Sequence, residues 1–215
     1  MAVCRDQFST RDKLAALLWD WLDPVSARNN LRQVLFRIRQ EIQIGDDFPL
    51  LAAGNNLALN EAVFQVDVWQ FERMLAVGTA EALGNAARLY RGELLDHLHL
   101  REIAFEDWLM RERVRFHTAA LAAIGQLLEQ SLATNKIDTA QDAALRILMI
   151  DPVDESAHRA LMLIHARKHH YALALRQYRL CCEVLNRELG VEPEVETRQL
   201  HSEIIRCRLR PSRMS

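Results

Sequence analysis

The residues with the clearest capacity for chemistry lie in one basic stretch, ARNNLRQVLFRIRQEI, at residues 27–42. The stretch holds four arginines and four side-chain amides, and no acidic residue precedes Glu41. Arginine pairs with phosphates and guanine edges, and asparagine and glutamine pair with adenine edges. This composition favours contact with a nucleic acid, while the alternative is an ordinary solvated helix face, on which arginines are common.

The spacing of apolar residues predicts that this stretch belongs to one helix over 25–44. Four of them recur every three or four residues, as in a buried stripe on one side of a helix: Leu31, Leu35, Ile38 and Ile42. The residues beside and opposite this stripe are called the basic face here: Arg28, Asn29, Asn30, Arg32, Gln33, Phe36, Arg37, Arg39 and Gln40. We expect the basic face to point to solvent and to form the DNA-binding site.

Two neighbouring elements would position this helix. A first helix is predicted over 10–22, with Ser9 or Thr10 and Asp12 at its start as a capping box. Its apolar residues also follow helical spacing: Leu14, Leu17, Leu18 and Trp21. Proline disfavours helix in the preceding residue and is well suited to a first helical position, so Asp23-Pro24 separates the two helices. The pattern predicts a helix-turn-helix.

A β-hairpin is predicted over 50–66, because short apolar runs enclose the turn residues Gly54, Asn55 and Asn56. The turn carries no cation. It would contribute only hydrogen bonds to a DNA backbone, and an ordinary hairpin turn is an equally good interpretation.

Helix-forming sequence dominates the rest of the chain, and the predicted helices span 68–77, 80–91, 102–134, 137–150, 155–168, 171–188 and 194–208. A period of 34 residues, the length of a tetratricopeptide repeat, relates similar positions. The pairs are Leu127 with Leu161, Leu128 with Met162, Ala140 with Ala174, Ala144 with Tyr178, and Ile147 with Cys181. Small residues at 140 and 174 suit the close approach of antiparallel helices.

Composition limits the classes of protein to consider. The formal net charge is −2, so any nucleic-acid contact must come from a local patch. The four cysteines show no metal-site or disulfide-framework spacing, and no apolar run reaches the length of a membrane span. We expect a cytoplasmic protein without membrane contact. The basic tail, with Arg206, Arg208, Arg210 and Arg213, is expected to be a solvated end.

Residues that suggest catalysis or metal binding have simpler interpretations. The pairs His97/His99 and His169/His170 lack a nearby cluster of cysteines or carboxylates with ligand spacing. Nucleotide-binding and hydrolase motifs are absent from the sequence. We therefore expect no enzyme activity, no cofactor and no metal.

Several segments occur in an order that resembles one family of proteins. They are RDKLAALLW, ARNNLRQVLFRIRQEI, VDVWQFERML, LYRGELL, FEDWLMRERVRF, DPVDESAHRALM and ALRQYRLCCEVLNRELGVEPEVETRQL. The chain thus resembles bacterial transcriptional activators of the Streptomyces antibiotic regulatory protein type. These proteins join an OmpR-like winged helix to a tetratricopeptide-like bacterial transcriptional activation domain.

The resemblance implies a mainly α fold in three parts. Residues 1–65 would form a partial winged helix, with the helix at 10–22, a recognition helix at 25–44 and a wing hairpin at 50–66. Residues 66–208 would form the all-helical activation domain, and 209–215 a basic tail. Such proteins read the major groove of double-stranded DNA with the recognition helix, bind repeated sites as a homodimer and contact RNA polymerase.

One departure from the family pattern leads to a further expectation. Family members begin with a small β-sheet and a helix before the block that matches RDKLAALLW, and this sequence starts after them. We expect the apolar residues that these elements cover to be partly exposed, unless the first helices of the activation domain cover them instead: Leu14, Leu17, Leu31 and Leu35. The alternative function is a tetratricopeptide-like adaptor that binds other proteins and carries an inactive winged-helix remnant.

Overall fold

The computed structural model describes residues 8–42, 48–98, 100 and 102–209. In chain order its elements are β1 (Phe8–Thr10), α1 (Arg11–Leu18), α2 (Pro24–Glu41), β2 (Leu50–Ala53), β3 (Asn56–Leu59), α3 (Asp67–Val77), α4 (Ala80–Leu89), α5 (Ile103–Ala133), α6 (Ile137–Ile150), α7 (Glu155–Arg167), α8 (Tyr171–Leu189) and α9 (Val195–Leu209). The predicted class, mainly helical with a small β element near the start, is confirmed.

The chain forms two compact units. The first combines Met1–Gly78 with Arg88–Ala120, and the second combines Thr79–Ala87 with Leu121–Ser215. These units follow internal contacts and are not the same division as the predicted domains, whose boundary at 65/66 stays a prediction.

The first helix is shorter than predicted. The Thr10 hydroxyl accepts a hydrogen bond from the Lys13 amide at 3.2 Å, so α1 begins at Arg11, and it ends at Leu18 instead of residue 22. Residues 19–22 form a turn, and Trp21 is 70% exposed instead of lying on a buried stripe. Asp23 has an extended backbone, as a residue that caps the next helix requires. Because proline also disfavours helix in the residue before it, α1 cannot continue through Asp23.

Helix α2 starts as predicted, with Pro24 in its first turn. The Asp23 carboxylate accepts hydrogen bonds from the amides of Val25 and Ser26, at 3.0 and 3.1 Å. Hydrogen bonds from Ser26, by side chain and backbone, lower the pKa of Asp23 and keep the cap ionised. At the other end α2 stops at Glu41, so Ile42 is an exposed cap residue and not part of the buried stripe. The predicted last residues, 43 and 44, lie outside the described ranges.

A small core holds α2 in place. Leu31 and Leu35 are 4% and 7% exposed, and they pack with residues of α1, α2 and the hairpin: Ala15, Ala27, Leu50 and Leu57. The expectation that Leu31 and Leu35 would be uncovered is therefore wrong, because the hairpin and α1 close over them. Leu14 and Leu17 are half-buried.

The β element is a three-stranded antiparallel sheet in the order β1-β3-β2. Residue pairs such as Phe8 with Ala58 and Leu51 with Ala58 fix the register. The predicted hairpin is present but shorter, since its strands cover 50–53 and 56–59 and residues 60–66 are turn and coil. Strand β1 is not apparent from the sequence, because Ser9 and Thr10 also fit the start of a helix and three residues are too few to show a strand pattern.

The hairpin turn requires a glycine, which gives a test of its geometry. Gly54 has a φ of +59°, and a Cβ there would meet no atom within 4 Å. We expect Gly54→Ala to lower the free energy of unfolding by about 1–2 kcal/mol through backbone strain alone. Urea denaturation followed by tryptophan fluorescence measures the change.

The control is Gly125→Ala within α5, where φ is not positive and a Cβ also meets open space. Alanine should stabilise this helix by about 0.5–1 kcal/mol, measured by thermal unfolding followed by circular dichroism. Destabilisation of similar size by both substitutions would contradict the strained turn.

In the second unit the successive helices from α6 to α9 pack against one another. The observed helices from α3 onward, in both units, match the predicted ones to within two residues at each end. Positions related by the 34-residue period are buried together, for example Ala140 with Ala174 and Leu127 with Leu161. One pair is unequal, since Ala144 is buried and Tyr178 half-buried. Most positions related by the repeat are therefore buried in both of its units.

The histidine pairs and cysteines singled out in the sequence can be located in part. His169 adopts a φ of +59° in the α7–α8 turn, and His170 precedes α8. Among the described residues, no group of three metal-ligating side chains converges, and no helix is long and apolar enough to cross a membrane. Cys4, His99, Arg210 and Arg213 lie outside the described residues.

Candidate nucleic-acid interface

The basic face of α2 points to solvent. Of its nine residues only Asn30 is half-buried, and Phe36 is 59% exposed. The remaining seven are exposed: Arg28, Asn29, Arg32, Gln33, Arg37, Arg39 and Gln40. The structure therefore brings all nine predicted site residues onto one helix whose polar side chains reach outward.

The outward direction follows from the burial of the opposite side of α2. Ala27, Leu31 and Leu35 are spaced by four residues, so their side chains stack on one side of the helix and enter the core. A rotation of α2 that buried the arginines would expose these three apolar side chains to water. The core thus fixes which residues a partner of this helix can reach.

Of the four arginines of the basic face, only Arg28 forms an ion pair among the described residues. Arg28 Nε lies 2.6 Å from Asp12 Oδ1, and both side chains are about half exposed. Within the part of the chain that the structure describes, Arg32, Arg37 and Arg39 form no ion pair. As far as the described residues show, these three guanidinium groups are available for an external anion.

A groove of about 530 Å³ runs beside α2 within the first unit. Its lining includes Leu31, Leu35 and Phe36 from the helix and Asn55 from the hairpin turn. The charged residues of the lining are Arg11, Arg28, Arg32, Arg39 and Asp12. Four cations against one carboxylate give the groove a positive potential, which attracts phosphate groups.

Two groove residues, Arg11 and Asp12, were not predicted as parts of the site, and Asn55 was considered only as a turn residue that could hydrogen-bond to a DNA backbone. Asp12 does not complete the predicted capping box, because its carboxylate accepts hydrogen bonds from Arg28 and, at 3.1 Å, from Asn55 Nδ2. The Arg11 amide donates to the Asn55 carbonyl at 2.9 Å. We call the two side-chain hydrogen bonds of Asp12 the Asp12 bridge. The only sequence signal was a charged pair, Arg11-Asp12, directly before an apolar helix.

Comparison with protein families identifies a domain in this chain. The family model described as bacterial transcriptional activator domain matches residues 66–205, well over half of the chain. This family is not enzymatic, which confirms that the chain is no enzyme. The match also confirms the resemblance on which the activation domain was predicted. A comparison of the sequence with curated proteins gives no match.

Comparison with solved structures supports the fold of nearly the whole chain. Mycobacterium tuberculosis EmbR in complex with a low affinity phosphopeptide is similar, with a TM-score of 0.66 and 19% sequence identity. The similarity covers 95% of this chain and 56% of that one, so this chain spans just over half the length of the matched structure. The family match, which covers more than half of the chain, shows that the chain belongs to the bacterial transcriptional activator domain family.

Proposed function

We propose that this protein is a DNA-binding transcriptional activator. In this proposal α2, within a partial winged-helix domain at 1–65, lies in the major groove of double-stranded DNA. The helical domain at 66–208 mediates homodimerisation and contact with RNA polymerase. The observation that carries the proposal is the exposed basic face, in which three of four arginines form no ion pair among the described residues.

The dimensions of α2 suit this role. The helix has 18 residues and a length of about 27 Å, and the major groove, about 12 Å wide, admits one α-helix. Its exposed side carries two kinds of polar group. The guanidinium groups can bind phosphates or guanine, and the side-chain amides can bind adenine. The groove beside α2 adds Arg11, a cation from a neighbouring helix that the same DNA backbone can reach.

The charge distribution of the chain implies that DNA would be attracted only to one part of its surface. With a net charge of −2, the chain as a whole is repelled weakly by DNA, so attraction must come from the basic face and the groove. Binding of this kind releases condensed counterions and weakens steeply with salt. A protein that bound DNA through apolar contacts would show a much smaller salt dependence.

The proposed roles of the helical domain rest on the family match and the resemblance. A homodimer would present two copies of α2, which fits recognition of repeated DNA sites. A partner-binding role alone, as a tetratricopeptide-like adaptor, has one observation in its favour. Three apolar residues of α5 share one side of the helix and are exposed: Ile103, Met110 and Val114.

The test is binding to DNA sequences that the full chain selects from a random pool. Three phosphate contacts, by Arg32, Arg37 and Arg39, predict a slope of about −2.7 in a plot of log affinity against log salt. Affinity per protomer should then fall by about 40-fold between 50 and 200 mM salt. Fluorescence anisotropy with labelled DNA measures both quantities.

Failure to select any DNA would overturn the proposal. A pull-down of the same bound protein by the full chain and by a chain lacking 1–65 would then favour the adaptor function. Selected binding with a flat salt dependence would also contradict the basic face as the interface.

A further inference from the structure

We infer that Asp12 is a positioning residue for DNA binding, which acts by fixing the hairpin turn against the start of α2. This inference rests on the proposed function, since it concerns the same surface. Asp12 itself carries a negative charge on a surface that would face phosphates. Its contribution to binding must therefore come from geometry, and the charge alone would oppose it.

The geometry of the Asp12 bridge joins three elements. Oδ1 accepts from Arg28 Nε at 2.6 Å, and Oδ2 accepts from Asn55 Nδ2 at 3.1 Å. The carboxylate sits in the first turn of α1, so one side chain connects α1 to α2 and to the turn between β2 and β3. A backbone hydrogen bond, donated by the Arg11 amide to the Asn55 carbonyl at 2.9 Å, holds the same turn.

Two properties indicate that the bridge serves binding more than folding. Its members are exposed, with side-chain exposures of 56% for Arg28 and 49% for Asp12, and exposed ion pairs contribute little to stability. The three members of the bridge, Arg28, Asn55 and Asp12, also all contribute to the lining of the groove. The bridge thus sets the spacing between α2 and the hairpin turn, the two elements that duplex DNA would meet.

Asp12 can affect DNA binding through its charge or through the position of the groups it holds, and the two explanations predict opposite changes in affinity when Asp12 is removed. If charge alone matters, Asp12→Ala removes a repulsive group and tightens binding. If position matters, Asp12→Ala frees the turn and Arg28, and we expect affinity for the selected DNA to fall about tenfold. Affinity for unrelated DNA should change much less, because nonspecific binding does not need the spacing. The ratio of the affinity for selected DNA to the affinity for unrelated DNA should therefore fall. A general change in charge or a loss of fold would alter both affinities and would not lower this ratio in the same way.

Three further single variants and one double variant complete the experiment. Asp12→Glu keeps both acceptor oxygens and should recover most of the selectivity. Asn55→Ala breaks the bridge from the hairpin side, and combined with Asp12→Ala it should cause no additional loss. Glu41→Gln removes an acidic charge from the end of α2, outside the basic face, and should leave binding equal or tighter. Urea denaturation followed by tryptophan fluorescence verifies that each variant is folded.

The outcomes separate the two proposals. Wild-type chain that selects no DNA overturns the proposed function and this inference with it. Wild-type binding together with unchanged or tighter binding by Asp12→Ala and Asn55→Ala overturns the inference alone. If Asp12→Ala does not fold, Asn55→Ala decides the question by the same ratio of affinities.

Discussion

The double substitution Arg32→Ala and Arg37→Ala is expected to lower the affinity for selected DNA by at least about 100-fold. Each guanidinium that binds a phosphate or a guanine edge contributes about 1.5–3 kcal/mol, because the hydrogen bonds are charge-assisted. Two such losses correspond to about two or more powers of ten in affinity. Both arginines are exposed and form no ion pair within the described residues, so among those residues their removal leaves no partner of an ion pair behind. Fluorescence anisotropy at fixed salt measures the loss.

The salt dependence of the same variant gives a second measurement. Loss of two phosphate contacts should reduce the slope of log affinity against log salt by about 1.8. If one arginine reads a base and only the other binds a phosphate, the reduction should be about 0.9. The slope therefore distinguishes the phosphate contacts of α2 from its base contacts.

A matched control removes equal charge elsewhere. Arg167 in α7 and Arg176 in α8 are exposed and belong to the second unit. The double substitution Arg167→Ala and Arg176→Ala should change affinity by less than about threefold, because these residues are not in the proposed interface. Equal losses in both double variants would show that overall charge, and not the basic face, governs binding. No loss in either would exclude α2 as the interface.

Local signals in the sequence predicted most of the fold. Asp23-Pro24 indicated the start of α2 because proline disfavours helix in the preceding residue and suits a first helical position. The capping carboxylate of Asp23 was seen only in the structure. Periodicity placed the basic face correctly, since Leu31 and Leu35 determine the inward side of the helix. The helices from α3 onward were predictable for the same reason: each carries its own apolar stripe.

Features that depend on distant pairing were not predictable in this way. Strand β1 exists because Phe8 to Thr10 pair with β3, about 50 residues away, and three residues carry too little pattern to show it. The Asp12 bridge likewise joins residues 16 and 43 positions apart. Trp21 and Ile42 continued an apolar spacing beyond the ends of their helices, because periodicity does not show where capping stops a helix. The site's helix was thus visible in the sequence, while its groove was not.

Phe71→Ala is expected to lower the free energy of unfolding of the first unit by about 3–5 kcal/mol. Phe71 is 4% exposed, and its ring lies 6.0 Å from the Phe116 ring and 6.5 Å from the Tyr90 ring, measured between centroids. The substitution removes a buried ring and leaves a cavity between helices that cannot fully close. Since whole domains are stable by only about 5–15 kcal/mol, this is a large fraction of the total.

Tryptophan fluorescence isolates this effect, because all four tryptophans belong to the first unit: Trp19, Trp21, Trp69 and Trp108. Phe36→Ala is the matched control, with the same atoms removed from a side chain that is 59% exposed. It should change the unfolding free energy by no more than about 0.5 kcal/mol while it alters the basic face. Similar destabilisation by both substitutions would mean that Phe36 is packed inside. The basic face would then not point to solvent, and α2 could not enter a DNA groove in the proposed orientation.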